Sequence, residues 1–439
     1  METPPAAPGG FTPDRAAVRK IVEKAVAEKR QWLTDPEAKA VIAAYGVPTV
    51  MTRIADTPEA AAACAAEIGG AVVVKIRSPD ITHKSDLGGV ALDLSTPGDV
   101  RDAAQAMLKR ISQLRPDAKI QGFSIEPMVH KPHAIELIVC VAEDAQFGPL
   151  ILFGHGGTAV EVMGDRSLGL PPLNMKLARD LMARTRIYKQ LQGYRSQPPA
   201  DLEAIAFTLV KVSQLVIDVA EIAELDINPL QADENGVIAL DARIRLGSGG
   251  ESGEPSRRLA IRPYPSELEE TATLPGGENV FLRPVRPEDE PAIQAGFTKL
   301  TPEDVRMRFF ASMKTLPHDI AARLTQIDYD REMALIAFAD GPAAKDAVGA
   351  VRLIADPDNR RGEYSVIVRS DFQRRGLGRL LMERIVAYAR RRGIGEIFGY
   401  VLEGNGAMLK LCEKLGFAAV RTQDRNLVEV RLLLCGDEA

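Results

Sequence analysis

A ten-residue stretch from Gly247 to Ser256 is the feature that most constrains what this chain can fold into. Its sequence, GSGGESGEPS, contains no apolar residue larger than proline. Such a stretch cannot bury a face in a hydrophobic core and is typical of a flexible linker. The chain of 439 residues is also too long for one ordinary core. We therefore expect two domains joined by a Gly/Ser-rich linker.

The patterning on either side of this stretch gives the expected domain boundaries. A Pro/Ala/Gly-rich start predicts a flexible leader over residues 1–20, followed by an N-terminal domain over residues 21–246. The linker and a connecting segment take residues 247–278, and the second domain covers residues 279–439. Helical stretches alternate with β-branched strands, so the expected fold class is α/β.

Composition excludes several classes of function. The formal net charge of −5 and pI of about 5.8 give no overall attraction to nucleic acid or to an acidic membrane. The four cysteines are far apart and form no C-x-x-C pair, which argues against a zinc site and a disulfide framework. No segment approaches the roughly 18 apolar residues of a membrane span. We expect a cytoplasmic protein without nucleic-acid or membrane partners.

The strongest chemical signal lies in the second domain. A β-branched strand, Glu363–Val368, is followed by the turn Gln373–Gly378 with the pattern Q-x-x-G-x-G, and then by an amphipathic helix. Glycines let the backbone approach a phosphate, and the first-turn N–H groups and the helix dipole favour an anion. Arg374, Arg375 and Arg379 add positive charge. The pattern indicates a phosphate-binding loop.

Further motifs downstream complete a known arrangement. A second strand, Ile397–Leu402, precedes Asn405 and then the sequence Leu415-Gly416-Phe417. Together with the loop, these motifs resemble the acetyl-CoA-binding half of a GNAT N-acetyltransferase. The resemblance implies a pantetheine arm between two splayed strands and a pyrophosphate on the loop. The acetyl-CoA-binding residues that it implies are Val366, Val368, Gln373, Arg374, Arg375, Gly376, Leu377, Gly378, Arg379 and Asn405.

The segment Leu324–Ala334 resembles, more narrowly, the Pat-type protein lysine acetyltransferases. An acceptor amine has a pKa of about 10.4 and must lose a proton before it attacks a thioester. Glu363 begins the strand beside the predicted cofactor, and the matching glutamate of Pat-type enzymes is their proposed general base. His318 is the rival base, at an expected helix start. The acid for the leaving thiolate stays open among Tyr329, Tyr364 and Tyr400, each of which has core packing as its alternative role.

The N-terminal domain carries a second constellation. Lys75 ends a buried strand, and the glycine-ended loop Ser78–Val90 follows it. Glu126 and Glu136 lie on later strands, and a second glycine loop covers residues 153–158. Asn228 and Asp241 place oxygen ligands on neighbouring strands, a donor set that suits Mg²⁺.

In order and extent, these motifs resemble the ATP-grasp β subunit of ADP-forming acyl-CoA synthetases. The resemblance implies that ATP or ADP binds with Mg²⁺, that Lys75 contacts phosphate, and that Glu126 and Glu136 line the nucleotide site. It places Mg²⁺ on Asn228 and Asp241. His83 matches a histidine thought to accept a phosphoryl group in the acetyl-CoA synthetases of this family. A surface histidine without a catalytic role is the alternative.

One half of the synthetase has no counterpart in this sequence, namely the α half that binds CoA. The chain is therefore expected to be a short form, one subunit of a pair, or a fragment. Three functions stay open: a protein lysine acetyltransferase acting on acyl-CoA synthetases, a ligase β subunit that needs a separate α partner, and a nucleotide sensor that controls the acetyltransferase.

Overall fold

The computed structural model describes residues 10–81, 84, 87–157, 164–195, 197–247, 258–339, 341 and 346–434. His83, Thr158 and the Gly/Ser stretch from residue 248 onward lie outside the described residues. The chain divides into two compact units, Ala7–Ala260 and Ile261–Ala439. We describe each unit by itself.

The N-terminal unit combines helices with two antiparallel sheets. Its helices are α1 (Arg15–Ala27), α2 (Asp35–Ala44), α3 (Pro58–Ile68), α4 (Pro97–Leu114), α5 (Met175–Ala183), α6 (Tyr188–Leu191) and α7 (Leu202–Asp218). Its strands are β1 (Arg53–Ala55), β2 (Val72–Ile76), β3 (Val90–Leu94), β4 (Phe123–Pro127), β5 (Ile135–Asp144), β6 (Gly148–His155), β7 (Arg166–Gly169), β8 (Ile222–Asp233), β9 (Gly236–Ala239) and β10 (Ala242–Leu246).

Each sheet of this unit has its own hydrophobic core. The smaller sheet has the order β1-β4-β2-β3, and α3 and α4 pack against it over Val72, Val74 and Ile76. The larger sheet has the order β10-β8-β5-β6-β7, with β9 paired to β8. Helix α7 packs in its core because the apolar side chains of α7 recur at helical spacing.

The C-terminal unit is built on one mixed sheet. Its helices are α8 (Glu290–Phe297), α9 (Pro302–Phe309), α10 (His318–Thr325), α11 (Leu377–Arg392) and α12 (Gly406–Lys414). Its strands are β11 (Glu270–Thr273), β12 (Asn279–Pro284), β13 (Glu332–Phe338), β14 (Ala347–Ala355), β15 (Arg361–Val368), β16 (Glu396–Leu402), β17 (Ala418–Arg421) and β18 (Leu427–Leu433). The sheet order is β11-β12-β13-β14-β15-β16-β18-β17.

Two segments differ from the expected boundaries. Helix α1 begins at Arg15, inside the expected leader, because Asp14 accepts the N–H of Ala17 at 2.9 Å and Val18 and Val22 are buried. Strand β11 lies inside the expected connecting segment, where it pairs with β12 at the edge of the sheet. Both segments are short amphipathic elements whose burial depends on the rest of the domain.

None of the described helices combines the length and the apolar character that crossing a membrane requires.

Candidate functional site

Two strands of the C-terminal sheet separate at a defined point. Strand β15 pairs with β14 along Gly362–Val368. With β16, however, it pairs in parallel only over Arg361–Glu363. The strands therefore diverge beyond Glu363, and backbone polar groups of β15 on that side are open to an extended ligand that carries amide groups.

A groove with a volume of about 530 Å³ follows this gap. Its walls come from β15, β16, the start of α11, the start of α12 and α9. Six of the expected acetyl-CoA-binding residues line it: Val366, Val368, Gln373, Arg374, Gly378 and Asn405. The structure thus brings together residues that are up to about 40 positions apart in the sequence.

The loop at one end of the groove has the conformation that an anion site needs. Gly376 precedes α11 with φ of +94°, and Arg374 has φ of +62° and lines the groove. The N–H groups of the first helical turn have no partner within the helix and point along its axis. The Gln373 side chain donates to Asp304 Oδ1 at 2.8 Å, which ties the loop to α9.

Other expected contacts are arranged differently. The Leu377 side chain is buried in the core, so only its backbone can face a ligand. Arg375 donates to Glu278 at 2.6 Å, and Arg379 donates to Glu383 at 2.8 Å. These two carboxylates partly neutralise the positive charge that the sequence analysis predicted for the loop. Asn405 lines the groove and caps α12 by accepting the N–H of Met408 at 3.1 Å.

Glu363 lies where β15 and β16 part. Its side chain is exposed and lines the groove. Since side chains alternate along a strand, Glu363, Ser365 and Ile367 share one face of β15. An exposed carboxylate at the start of the gap can accept a proton from an amine that approaches from solvent.

Arg308 is a groove residue that the sequence did not suggest. It is half-buried on α9 and donates to Ser365 Oγ at 2.7 Å. Burial and the neighbouring Arg352 lower its pKa to about 10, although the Glu363 carboxylate acts in the opposite direction. The Thr301–Asp304 capping box predicts a helix here, but which strand α9 covers depends on tertiary packing.

His318 and the three candidate tyrosines lie in different surroundings. His318 is the first residue of α10, and its side chain is 80% exposed beside Glu290, which raises its pKa. Tyr329 donates to the Val285 carbonyl at 2.6 Å, and Tyr364 lies 3.1 Å from Cys412 Sγ, both in the core. Tyr400 lines the groove. Tyr364 also contributes to the lining, but it is buried and its hydroxyl meets Cys412, whereas the exposed Tyr400 is open to a ligand in the groove.

The N-terminal unit contains a buried charge cluster around Glu126. Lys75 Nζ lies 3.0 Å from Glu126 Oε2 and donates to the Leu240 carbonyl at 3.0 Å. Lys39 of α2 forms an ion pair with the same carboxylate, and Thr52 donates to it at 3.0 Å. Burial lowers the pKa of Lys75, but the nearby carboxylates raise it by more, so the lysine carries its charge.

Asp241 and Asp35 extend this cluster. Burial raises the pKa of Asp241 to about 6, although the positive charge of Lys75 opposes the shift. Burial also raises the pKa of Asp35, but the adjacent Asp241 carboxyl group and the charges of Lys39 and Lys75 outweigh this and lower it to about 2. Between about pH 2 and about pH 6, the two carboxyl groups therefore hold one proton between them.

Asn228 and Glu136 lie beside the second glycine loop. Asn228 Oδ1 accepts the N–H of Gly157 at 2.9 Å, and the Glu136 carbonyl accepts the N–H of Gly156 at 2.8 Å. Gly157 has φ of +75°, and a Cβ there would collide with the Glu136 carboxylate. The main-chain N–H of Leu240 donates to the Pro229 carbonyl at 3.1 Å, which brings Asn228 and Asp241 to one corner of the sheet.

The donor set at this corner fits Mg²⁺. In the described part of the chain, one oxygen of Asp241 and both oxygens of Asp35 are buried without a hydrogen-bond donor. No group of three or more His, Cys, Asp or Glu residues among the described residues forms a complete metal cage. Mg²⁺ commonly keeps waters and phosphate oxygens as ligands and needs only one or two protein carboxylates.

Asp35 and Lys39 were missed by sequence reasoning. Asp35-Pro36 is typical of a helix start, and Lys39 lies in the next turn, so neither carries a local functional signal. The small pocket beside Asp35 has a volume of about 120 Å³ and is also lined by Lys84 and Trp32. Only the folded domain places these residues near Asp241.

Comparisons with known proteins cover both units. Residues 24–246 match the family model of an ATP-grasp domain, and residues 303–417 match that of the acetyltransferase (GNAT) family. The β subunit of an ADP-forming acetate–CoA ligase from Pyrococcus furiosus is 40% identical over 234 residues, which are 53% of this chain and 100% of that subunit. An acetyltransferase of Pseudomonas aeruginosa is 30% identical over 152 residues, which are 35% of this chain and 82% of that protein.

A solved structure adds support for the N-terminal fold. Acetyl-coenzyme A synthetase 1 from Ca. Korarchaeum cryptofilum, in complex with coenzyme A and Ca-AMPCP, is 37% identical with a TM-score of 0.50. The alignment covers 52% of this chain and 99% of that chain. Acetyl-CoA is the co-substrate of GNAT domains, and ATP-grasp domains bind ATP or ADP with Mg²⁺. The chain belongs to the ATP-grasp family through a domain like the β subunits of ADP-forming acyl-CoA synthetases, and it carries a C-terminal GNAT acetyltransferase domain.

Proposed function

We propose that this protein is an acetyl-CoA-dependent protein lysine N-acetyltransferase of the Pat type. The observation that carries the proposal is the position of Glu363 at the point where β15 and β16 diverge. An exposed carboxylate there adjoins both a groove that fits an extended cofactor and the solvent from which a protein lysine would arrive. The resemblance of Leu324–Ala334 to Pat-type enzymes supports the narrower assignment.

Different residues of the groove have different roles in the proposed reaction. Arg374 and the first-turn N–H groups of α11 hold the pyrophosphate, and Gln373 keeps this loop attached to α9. Glu363 accepts the proton of the substrate ammonium, and the neutral amine attacks the thioester carbonyl. The C–N bond forms, the C–S bond breaks, and the leaving thiolate takes a proton from Tyr400. The second proton of the attacking nitrogen leaves as the amide forms and restores Tyr400 through solvent.

A protein lysine suits the charge at the open end of the groove. Glu303 and Glu363 are exposed there, and their carboxylates attract an ammonium group. Following the Pat-type resemblance, we propose the reactive lysine of acyl-CoA synthetases as the substrate. Acetylation removes the charge of that lysine and would silence the synthetase.

Transfer of radiolabelled acetyl groups to a panel of acyl-CoA synthetases tests this proposal. In the Glu363→Gln variant we expect kcat to fall by roughly 10²–10⁴-fold, the usual contribution of a general base, while acetyl-CoA still binds. Glu413→Gln is the matched control, since Glu413 is an exposed glutamate of α12 that does not line the groove.

Two results would contradict the proposal at different points. Full activity of Glu363→Gln would exclude Glu363 as the base. If the wild-type protein acetylates small amines but no protein, the GNAT domain is not a protein acetyltransferase.

For the N-terminal domain we propose a regulatory role through bound nucleotide. Lys75 and Glu136 would contact ATP, and Glu126 would hold Lys75 and Lys39 in position. Asn228 and Asp241 would hold Mg²⁺, which supplies charge neutralisation for the phosphates. His83 stays a proposed phosphoryl acceptor.

A second candidate is the β-type subunit of an ADP-forming acyl-CoA synthetase with a separate α partner. It is favoured by the alignment over the full length of the Pyrococcus furiosus β subunit. Mixing the protein with such an α subunit, acyl-CoA, ADP and phosphate should then give ATP. Activity that is lost in His83→Asn would support this candidate, whereas no ATP with any α subunit would remove it.

A further inference from the structure

An apolar cavity lies beside the groove in the C-terminal domain. Its volume is about 90 Å³, and it lies between helices α8, α9 and α10 and strands β13, β14 and β15. Native interiors contain few voids larger than a water molecule, and one water needs only roughly 10–15 Å³ of such space. The cavity therefore has room for several carbon atoms.

The surface of this cavity is almost entirely hydrocarbon, although three arginines also border it: Arg308, Arg352 and Arg369. Phe297, Phe309 and Leu324 line it from the helices, Leu316 lines it from the loop before α10, and Ala350 belongs to the strand side. Water is poorly held in such a space because it finds few hydrogen-bond partners, whereas apolar molecules enter cavities of this kind. The chemistry of the lining selects an apolar occupant.

The cavity and the groove share a boundary. Arg308, Ser365 and Ile367 line both spaces. Ser365 is two residues from Glu363 on the same face of β15, so the boundary adjoins the place where the thioester reacts. One hydrogen bond, from Arg308 to Ser365 at 2.7 Å, joins the two polar side chains there. Rotation of these two side chains would connect the two spaces.

We propose that this cavity binds the acyl chain of the co-substrate, so that the enzyme accepts straight apolar acyl groups of roughly four to six carbons. This inference rests on the proposed function as an N-acyltransferase. The Arg308 cation at the boundary repels the ammonium of an acceptor lysine, which excludes the substrate side chain as the occupant. A chain that continues from the thioester reaches the cavity without carrying a charge.

Binding of a series of acyl-CoA esters by calorimetry, without an acceptor, tests the inference apart from catalysis. Each buried methylene group strengthens binding by about fourfold. We expect hexanoyl-CoA to bind at least about tenfold more tightly than acetyl-CoA, with octanoyl-CoA no tighter than hexanoyl-CoA. Succinyl-CoA, which carries a charged end, should bind no better than acetyl-CoA.

Two variants change the cavity in opposite directions. Ala350 pairs with Ile367 across the sheet and lines the cavity, so Ala350→Leu should fill it and abolish the advantage of hexanoyl-CoA. Leu324→Ala should enlarge it and shift the preferred chain toward octanoyl-CoA. Ala419→Leu is the control, because Ala419 is an exposed strand alanine outside the cavity.

The outcomes separate this inference from the proposed function. Equal affinities for acetyl-CoA and hexanoyl-CoA in the wild-type protein would overturn the acyl-chain site, even if acetyl transfer to proteins is intact. Preference for succinyl-CoA would also overturn it, since Arg308 would then select a carboxylate. If hexanoyl-CoA binds tightly but nothing is transferred to protein, the site stands and the protein acetyltransferase assignment fails.

Discussion

Arg283 and Asp289 form a bidentate ion pair inside the C-terminal domain. The guanidinium donates to the two carboxylate oxygens at 2.7 and 2.6 Å, and the main-chain N–H of Arg286 donates to Asp289 at 2.7 Å. The residues are only 8% and 5% exposed. Loss of either partner leaves a buried charge without compensation, which costs far more than loss of an exposed pair.

We expect Asp289→Ala to lower the free energy of unfolding of the C-terminal domain by about 3–5 kcal/mol. Asp346→Ala removes the partner of Lys299 in an exposed pair and should leave that free energy unchanged within error. Urea denaturation followed by circular dichroism measures both. Equal effects of the two substitutions would show that burial does not determine the strength of these pairs.

The raised pKa of Asp241 predicts a pH dependence of stability. The folded protein keeps the proton up to about pH 6, whereas an unfolded chain releases it near the ordinary Asp value of about 3.9. Between these two values the folded state binds more protons, so rising pH destabilises it. Asp241→Asn cannot ionise. Its stability relative to the wild type should therefore increase from about pH 4 to about pH 6, by on the order of 2–3 kcal/mol, and then level off.

Trp32 makes this measurement specific to one domain. It is the single tryptophan of the chain and belongs to the N-terminal unit. Urea denaturation followed by Trp32 fluorescence, with EDTA present to remove metal, therefore reports that unit. A difference between Asp241→Asn and the wild type that is constant from pH 4 to pH 6 would contradict the assigned pKa shift.

Helix α11 illustrates how one element serves both fold and site. Its apolar face, with Leu381, Ile385 and Ala389, packs in the core of the C-terminal domain. Glycines with positive φ lie at both of its ends: Gly376 has φ of +94° and Gly393 has φ of +72°. Only the Gly376 end adjoins the groove. The same backbone conformation therefore shapes the loop beside the groove at Gly376, whereas at Gly393 it only ends the helix.

We expect Gly393→Ala to lower the stability of the C-terminal domain by about 1–2 kcal/mol, because alanine is strained at this φ value. Gly376→Ala should cost more, because its Cβ would also lie 2.8 Å from Pro275 Cδ. Only Gly376→Ala should also weaken acetyl-CoA binding, by at least about tenfold, since its loop faces the groove. Calorimetry measures the affinities. Equal affinities of the two variants for acetyl-CoA would show that the loop before α11 does not bind the pyrophosphate.

Elements with a clear pattern were predicted well from the sequence. Strands β15 and β16 begin within two residues of the predicted strands Glu363–Val368 and Ile397–Leu402 and end at the same residues as predicted. Strand β11 was not predicted, because four residues at the edge of a sheet carry no period that separates them from a loop. Its strand conformation comes from pairing with β12.

At the scale of the whole molecule, the proposed regulation predicts a fixed relation between the affinities for ATP and for acetyl-CoA. If nucleotide changes the affinity for acetyl-CoA, then acetyl-CoA must change the affinity for ATP by the same factor, and such couplings are typically about 5- to 150-fold. Trp32 lines the pocket beside Asp35, so its fluorescence should follow Mg-ATP binding. Titrations with and without acetyl-CoA measure the coupling. Identical ATP affinities would reject regulation and leave two independent activities.

The sequence by itself determined the local features of this protein: two domains, the mixed α/β class, and the glycine turns that suit phosphate. These depend on periodicity, glycine and residue type within short segments, which a sequence shows directly. Only the tertiary structure decided which distant residues share a site. Arg308 meets Ser365, and Lys39 meets Glu126, through packing of helices on sheets. Such contacts depend on the sum of many weak interactions over the whole core, so no single segment specifies them.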